Sequence, residues 1–296
     1  MSADRVKLHP GPNPPQVKPT TPFTTFAVEL ARESGAHLMS YLSDPDREKE
    51  IRLKGPTDVV TRADHEVEAR VAQRIQEQFP DHGLLAEEGT LLRGTEYRWV
   101  VDPLDGTVNF AHGVPWFAVS IALEHRGQTI LGVVAHPALD EVFVAERGSG
   151  AWLSRAGGAF IRLRVSTADT LQSSLLSTGF AGGDLNPRES AAIYHLRRES
   201  RGVRNLGSAA IHLGYVAAGR LEAYWEPRLN PWDIAAGLLL VEQAGGRVSD
   251  IDGTPLHSGN ILASNGHIHD AILQVMGGME VGTQNTETPR STRGAR

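Results

Sequence analysis

Trp99-Val100-Val101-Asp102-Pro103-Leu104-Asp105-Gly106-Thr107-Val108-Asn109-Phe110 is the stretch on which the reading of this chain turns. It opens as a short apolar run, the pattern of a buried strand. It then breaks at Asp-Pro and again at Asp-Gly, both turn signals. Asp102 and Asp105 therefore emerge together on one loop at a strand end. Gly106 and Thr107 follow at once, with backbone N–H groups available to an anion. A hard cation and a phosphate are the guests that such a loop suits.

The chain around it has 296 residues, 40% hydrophobic and 22% charged, which fits a globular protein of one large or two medium domains. Its net charge of −6 gives no reason to expect direct nucleic-acid binding. There are no cysteines, so disulfides and thiolate metal sites are excluded. No apolar run reaches the roughly 18 residues a membrane span needs. No secretory h-region precedes the first helical pattern. The expectation is a cytoplasmic protein without membrane contact.

Outward from the acidic loop, residues 1–22 are rich in proline and read as a disordered tail. A helical pattern runs from Phe23 to Leu42, with Phe26, Leu30, Leu38 and Leu42 at helical spacing. Asp64 reads as the N-cap of a second helix with a Val67, Val71, Ile75, Phe79 stripe. Leu84-Leu85-Ala86 is a short strand running into Glu87-Glu88. After Phe110, strands at 117–124, 130–135, 141–145, 151–153 and 161–165 form an antiparallel meander. Residues 23–166 thus make one α+β domain carrying the metal and phosphate chemistry. Residues 167–276 alternate strand and helix and read as a second α/β domain. Residues 277–296 are polar and read as a second disordered tail.

The acids worth weighing together are Glu87, Asp102, Asp105 and Asp233. Helix capping alone explains Asp64 and Asp233, and solvation alone explains Glu87. Only the fold can bring the four together; spacing cannot. If they converge, they make an oxygen-rich nest for Mg²⁺, and with a phosphate-binding turn that is the equipment of metal-assisted phosphoester hydrolysis. His267 and His269, read as lying on a helix, do not share a face and make a poor metal pair. Phosphatases that use an aspartyl-phosphate place one residue between their acids, whereas two separate Asp102 from Asp105, so that covalent mechanism is set aside.

Asp102-Pro103-Leu104-Asp105-Gly106-Thr107-Val108-Asn109-Phe110 resembles the first signature of the inositol monophosphatase family. Trp232-Asp233-Ile234-Ala235-Ala236-Gly237, followed by Glu242-x-Ala244-Gly245-Gly246, resembles the second. Ala86-Glu87-Glu88 and Thr57-Asp58-Val59-Val60-Thr61-x-x-Asp64 match two further segments, so the likeness spans roughly residues 23 to 276. It implies a layered αβαβα sandwich of the sugar-phosphatase type. It implies Mg²⁺, two to three ions, held by Glu87, Asp102, the Leu104 carbonyl, Asp105 and Asp233. Thr107, bonded to Asp64, would activate water, with Glu87 beside a third ion; Gly106 and Thr107 would hold phosphate.

Gly207, Ser208 and Ala209 match a substrate-contacting turn, and Glu226 an acid that binds sugar or cyclitol hydroxyls. Glu87, Leu104, Asp105 and Asp233 would also border the substrate. Lys54 and Asp58 would lie on a mobile loop over the site. The resemblance further implies Li⁺ sensitivity and a homodimer. The expected reaction is hydrolysis of inositol 1-phosphate. Histidinol phosphate, fructose 1,6-bisphosphate and NADP are the alternatives within the family. A regulatory protein binding the transcription machinery is the alternative from another class.

Overall fold

Residues 21–43, 51–53, 59–180 and 187–278 are described by the computed structural model. Lys54, Asp58 and the 1–20 and 279–296 segments lie outside the described residues. The first helix, α1 (Pro22–Leu42), begins where Thr21 accepts the Thr24 N–H on its hydroxyl, with Pro22 in the first turn. It therefore includes Pro22, which the sequence pattern leaves in the tail.

The hairpin β1 (Ile51–Leu53) and β2 (Val59–Thr61) leads into α2 (Arg62–Gln78). Next come β3 (Gly83–Ala86), β4 (Leu91–Leu92), β5 (Tyr97–Asp105) and the short α3 (Thr107–Ala111). A meander of β6 (Ala118–His125), β7 (Gln128–His136), β8 (Glu141–Glu146), β9 (Gly150–Arg155) and β10 (Ile161–Arg162) completes an eight-stranded sheet in the order β10-β9-β8-β7-β6-β5-β3-β4. The last strand is shorter than the 161–165 run predicts: Leu163 N–H still meets the Ala151 carbonyl in register, but Val165 N–H turns away to that of Ala244. The sheet is also not wholly antiparallel: β3 and β5 run parallel, joined through β4.

The second half contributes β11 (Leu176–Thr178), α4 (Pro187–Glu199), β12 (Val203–Arg204), α5 (Ala209–Ala217), β13 (Ala223–Glu226), α6 (Pro231–Gln243), β14 (Arg247–Asp250), β15 (Ile261–Ser264) and α7 (His269–Gly278). Its five strands are ordered β12-β11-β13-β15-β14, with β11 parallel to β12 and to β13. Helix α7 takes in Gly277 and Gly278 and starts only at His269, so His267 precedes it rather than sharing it. His269 is instead buried between the hydroxyls of Ser249 and Ser264, at 2.9 and 2.8 Å from its two ring nitrogens.

Strand alternation sorts the side chains into layers. Trp99 and Val101 of β5 pack with Phe26 and Leu30 of α1 and Val67 and Val71 of α2. Val100, between them, faces the opposite way, towards Ile211 and Leu213 of α5 and Leu239 and Leu240 of α6. The same central core takes Tyr224 and Ile261 from the second sheet, while Ala223 and Trp225 face outward to Leu196 of α4 and Ile272 of α7. The order is helices, sheet, helices, sheet, helices: the αβαβα sandwich. Helix α6 is apolar on most sides because it lies between two sheets. It reaches β7 closely because Gly132 offers no side chain; a Cβ there would stand 2.6 Å from the Ala236 carbonyl oxygen.

Each sheet thus contains a parallel pair whose carboxyl ends carry residues singled out by their chemistry. Glu87 follows β3 and Asp105 ends β5. Gly179 follows β11 and Glu226 ends β13. Crevices outside the carboxyl ends of parallel strands are where open α/β sheets bind ligands.

Candidate active site

Asp102 and Asp105 are not on a free loop, as the turn signals suggest. Strand β5 continues through Pro103 to Asp105, and its pairing with β6 slips between the two acids. The bulge interrupts the two-residue alternation that would send side chains three apart to opposite faces. Asp102 Oδ1 accepts the Leu104 N–H at 2.9 Å, which braces the bulge. Both acids are buried, Asp102 at 1% and Asp105 at 9% exposure.

Gly106 then adopts φ +94°, and a Cβ there would stand 2.9 Å from the Trp116 carbonyl oxygen and 3.0 Å from that of Gly207. Only glycine satisfies both the conformation and the fit. The turn directs Thr107 back towards α2. Its hydroxyl lies 3.0 Å from the Leu104 carbonyl oxygen and 3.3 Å from Asp64 Oδ1.

Asp64 is not the N-cap of α2, as the sequence suggests. Thr61 is the cap, and Asp64 stands three positions on, in a capping box. Its Oδ2 accepts the Thr61 N–H at 2.8 Å and the Thr61 hydroxyl at 2.6 Å. That leaves Oδ1 facing Thr107. Burial raises the Asp64 carboxyl above its ordinary 3.8, the Thr61 bonds oppose the rise, and the charge of Glu88 adds to it.

Asp233 repeats the device on α6. Asn230 is the cap, and Asp233 Oδ2 accepts its N–H at 2.7 Å. Burial and then the neighbouring Asp105 charge push Asp233 up to about 8. Asp102 rises well above its ordinary value through burial and the charges of Glu87, Asp105 and Asp233. Asp105 is pushed up by burial to about 6, held there by bonds from Ser208, Ala210 and Ala209. The Ser208 hydroxyl donates to Asp105 Oδ2 at 2.6 Å, and the Ala210 and Ala209 N–H groups reach its oxygens at 2.7 and 3.3 Å.

Three acids of the first sheet and Asp233 of α6 therefore converge: the charges of Glu87, Asp105 and Asp233 disfavour ionisation of Asp102, and those of Asp105 and Glu87 disfavour ionisation of Asp233. Carboxylates crowded out of water without a cation are the donor set that suits hard divalent ions. Among the described residues no three such side chains stand pre-arranged as a finished cage. The arrangement fits a cation in kind, and their mutual repulsion is what bound positive charge would relieve.

A cleft of about 670 Å³ opens beside these acids, bordered by Asp105, Asp233, Gly207, Ser208, Ala209 and Glu226. Glu226 is 6% exposed and accepts the Tyr224 hydroxyl. It presses on Gly179, where any side chain would collide with its carboxylate. Ser208 is less free than a substrate contact would be. It donates to Asp105 and caps α5, accepting the Ile211 N–H at 3.3 Å.

Three contributors escaped the sequence reading. Glu68, 3% exposed on α2, accepts the Glu88 and Thr90 N–H groups at 2.7 and 2.9 Å, fixing the loop that carries Glu87. Its only signal is an acid on the buried stripe of an amphipathic helix. His212 accepts the Leu206 N–H on Nε2 at 2.8 Å, and burial lowers it to about 3, so it stays neutral behind the cleft. Asn109 donates to two carbonyls across the cleft's edge.

Comparison with known proteins points to one family. A family model described as the inositol monophosphatase family matches residues 20–277. An inositol-1-monophosphatase of Rhizobium meliloti is 42% identical over 233 residues, 77% of this chain and 86% of the relative. A fructose-1,6-bisphosphatase/inositol-1-monophosphatase of Thermotoga maritima is 40% identical over 258 residues, 85% of this chain and 94% of the relative. The crystal structure of the extragenic suppressor protein suhB from Bartonella henselae superposes with a TM-score of 0.81 at 37% identity, covering 86% of this chain and 98% of that one.

Proposed function

Because this chain belongs to the inositol monophosphatase family and is a phosphatase, we propose that it is a Mg²⁺-dependent phosphomonoesterase whose first substrate is inositol 1-phosphate. The observation that supports this most is the Thr107 hydroxyl, set between Asp64 Oδ1 and the Leu104 carbonyl, next to the acid cluster.

A hydroxyl has one proton to give and two lone pairs to accept with. Thr107 donates to Asp64 or to Leu104 and can accept from a water in the cleft, orienting it. Asp64, raised by burial, is a better proton acceptor than a surface carboxylate and takes the proton through Thr107. Glu87, Asp102, Asp105, Asp233 and the Leu104 carbonyl supply the oxygens that would hold two to three Mg²⁺ ions. When bound, such ions polarise phosphoryl oxygens and lower the pKa of water. The Gly106 and Thr107 N–H groups would hold the phosphate. Glu226, on the other side of the cleft, accepts paired hydroxyls of a polyol. Uncatalysed hydrolysis of phosphate monoesters is among the slowest reactions known, so the site needs this density of charge.

Glu226 favours polyhydroxy esters over histidinol phosphate, the strongest rival. The name of the Thermotoga relative adds fructose 1,6-bisphosphate as the second substrate to try. Li⁺ inhibition, a homodimer and a cytoplasmic location belong to the same proposal. Among the described residues no helix is long and apolar enough to cross a membrane.

The test is phosphate release with Mg²⁺, with and without Li⁺, from inositol 1-phosphate, histidinol phosphate, fructose 1,6-bisphosphate and NADP. Inositol 1-phosphate should lead and Li⁺ should inhibit. A histidinol phosphate rate far above the others would overturn the substrate but keep the mechanism; no release from any ester would overturn both.

A further inference from the structure

We propose that Asn109 is a positioning residue that sets the affinity of the acid cluster for divalent cations without touching them. The inference rests on the phosphatase reading above. Asn109 Nδ2 donates to the Trp116 carbonyl and to the Leu206 carbonyl, both at 2.7 Å. Two carbonyl acceptors leave no doubt which end of the amide carries the hydrogens. The Asn109 backbone carbonyl separately accepts the Val114 N–H at 2.8 Å. One side chain thus ties α3, the loop before β6 and the 205–208 turn of the second sheet.

That turn is what holds Asp105. Asn205 Oδ1 accepts the Gly207 N–H at 2.8 Å, Gly207 takes φ +72°, and Ser208 then presents its hydroxyl to Asp105. A Cβ on Gly207 would stand 2.6 Å from Asn109 Nδ2, so the amide fills the space against the turn. Gly106 is wedged between the Trp116 and Gly207 carbonyls, the same two backbone segments that Asn109 joins. Without the amide, the Trp116 and Leu206 carbonyls lose their shared donor, and the segments flanking Gly106 are free to part. Ser208, Ala209 and Ala210 would then no longer be fixed over Asp105. Partners of this kind around metal ligands are typically worth 10–100-fold in affinity.

The experiment compares the full chain with Asn109→Ala and Asn109→Asp. The aspartate keeps the shape and removes both donors. Asn265→Ala is the control: Asn265 makes matching bonds, to Ser166 at 3.1 Å and to the Ala168 carbonyl at 2.7 Å, away from the cleft. Mg²⁺ affinity is read by calorimetry without substrate, and the Mg²⁺ concentration for half-maximal phosphate release from inositol 1-phosphate is read separately. Both Asn109 variants should weaken Mg²⁺ binding and raise the half-saturating concentration about tenfold, with kcat at saturating Mg²⁺ less affected. Asn265→Ala should lower only the melting temperature. Unchanged Mg²⁺ affinity in folded Asn109 variants, or failure of both to fold, would overturn the proposal by making Asn109 purely structural. Absence of phosphate release by the wild type would refute the phosphatase reading instead, while calorimetry still decides the role of Asn109.

Discussion

The Ser208 hydroxyl lies 2.6 Å from Asp105 Oδ2, joining the first turn of α5 to the end of β5. The bond crosses from the element that leads into one sheet to the last residue of a strand in the other. It also makes Asp105 a carboxylate seated on a helix N-terminus, where backbone N–H groups favour negative charge. Ser208→Ala should therefore cost about 1–2 kcal/mol, as a lost cap and a lost bond to a buried carboxylate. Urea melts should show that loss, and Mg²⁺ should stabilise the variant less than the wild type. Equal stability in both would show that the bond contributes nothing.

Metal-free protein should lose stability as pH rises above neutrality. Asp233 and Asp105 stand at about 8 and about 6, above their ordinary 3.8. The folded state thus binds protons that the unfolded state has released, and that advantage disappears as pH climbs through the raised values. His212 and His269 act oppositely. Burial holds them at about 3 and about 4, below 6.5, so their contribution is lost only as pH falls below 6.5. Between pH 6.5 and 8.5 the buried carboxylates lead, and His257, raised by its bond to the Pro255 carbonyl, loses its contribution in the same direction. The melting temperature in EDTA should fall there by roughly 2–4 °C per kcal/mol lost, and Mg²⁺ should stabilise more at pH 8.5 than at 6.5. A flat or rising EDTA curve would contradict the acid cluster.

Glu68→Ala should destabilise by on the order of 2–4 kcal/mol, since it strands the Glu88 and Thr90 N–H groups. It should also slow turnover, because the loop carrying Glu87 loses its anchor. Denaturant midpoints together with kcat at saturating Mg²⁺ check this; a stability loss with normal kcat would separate Glu68 from the site.

Much of this was legible in the chain, and the failures are instructive. The apolar run at Trp99 and the alternation after residue 174 were enough for an α+β and an α/β unit, because each face of a strand or helix must be buried; their stacking into five layers came from the family resemblance. The parallel pairing of β3 with β5 was hidden, since two residues, Leu91 and Leu92, make the intervening strand. Asp64 lies three positions beyond the cap because Thr61 also caps helices, and with an acid three residues on it completes a capping box. Convergence of Asp233 on Asp105 depends on α6 lying across β5, which no spacing encodes. Glu68 acts by holding backbone, a role that leaves no motif; Asn109 and Ser208 lie in matched segments, but a signature does not show which backbone or carboxylate they hold.

Glu226→Gln should separate substrates. Its carboxylate accepts the Tyr224 hydroxyl and borders the cleft away from Asp64. For inositol 1-phosphate, kcat/KM should fall about tenfold, the equivalent of roughly 1.4 kcal/mol. p-Nitrophenyl phosphate, which has no polyol, should be hydrolysed nearly as before. An equal loss on both would place Glu226 in the general machinery rather than in recognition.

The central claim is that the acids gathered around Asp105 bind divalent cations to hydrolyse a phosphomonoester. Its most direct test is Mg²⁺ calorimetry paired with phosphate release from inositol 1-phosphate for the wild type and Asp105→Asn. The substitution keeps the shape that Ser208, Ala209 and Ala210 surround and removes the charge. The account predicts a folded variant with weakened Mg²⁺ binding and turnover reduced more than about a hundredfold, beyond the usual loss from an outer partner of a metal site. Wild-type Mg²⁺ binding and wild-type turnover in Asp105→Asn would contradict it.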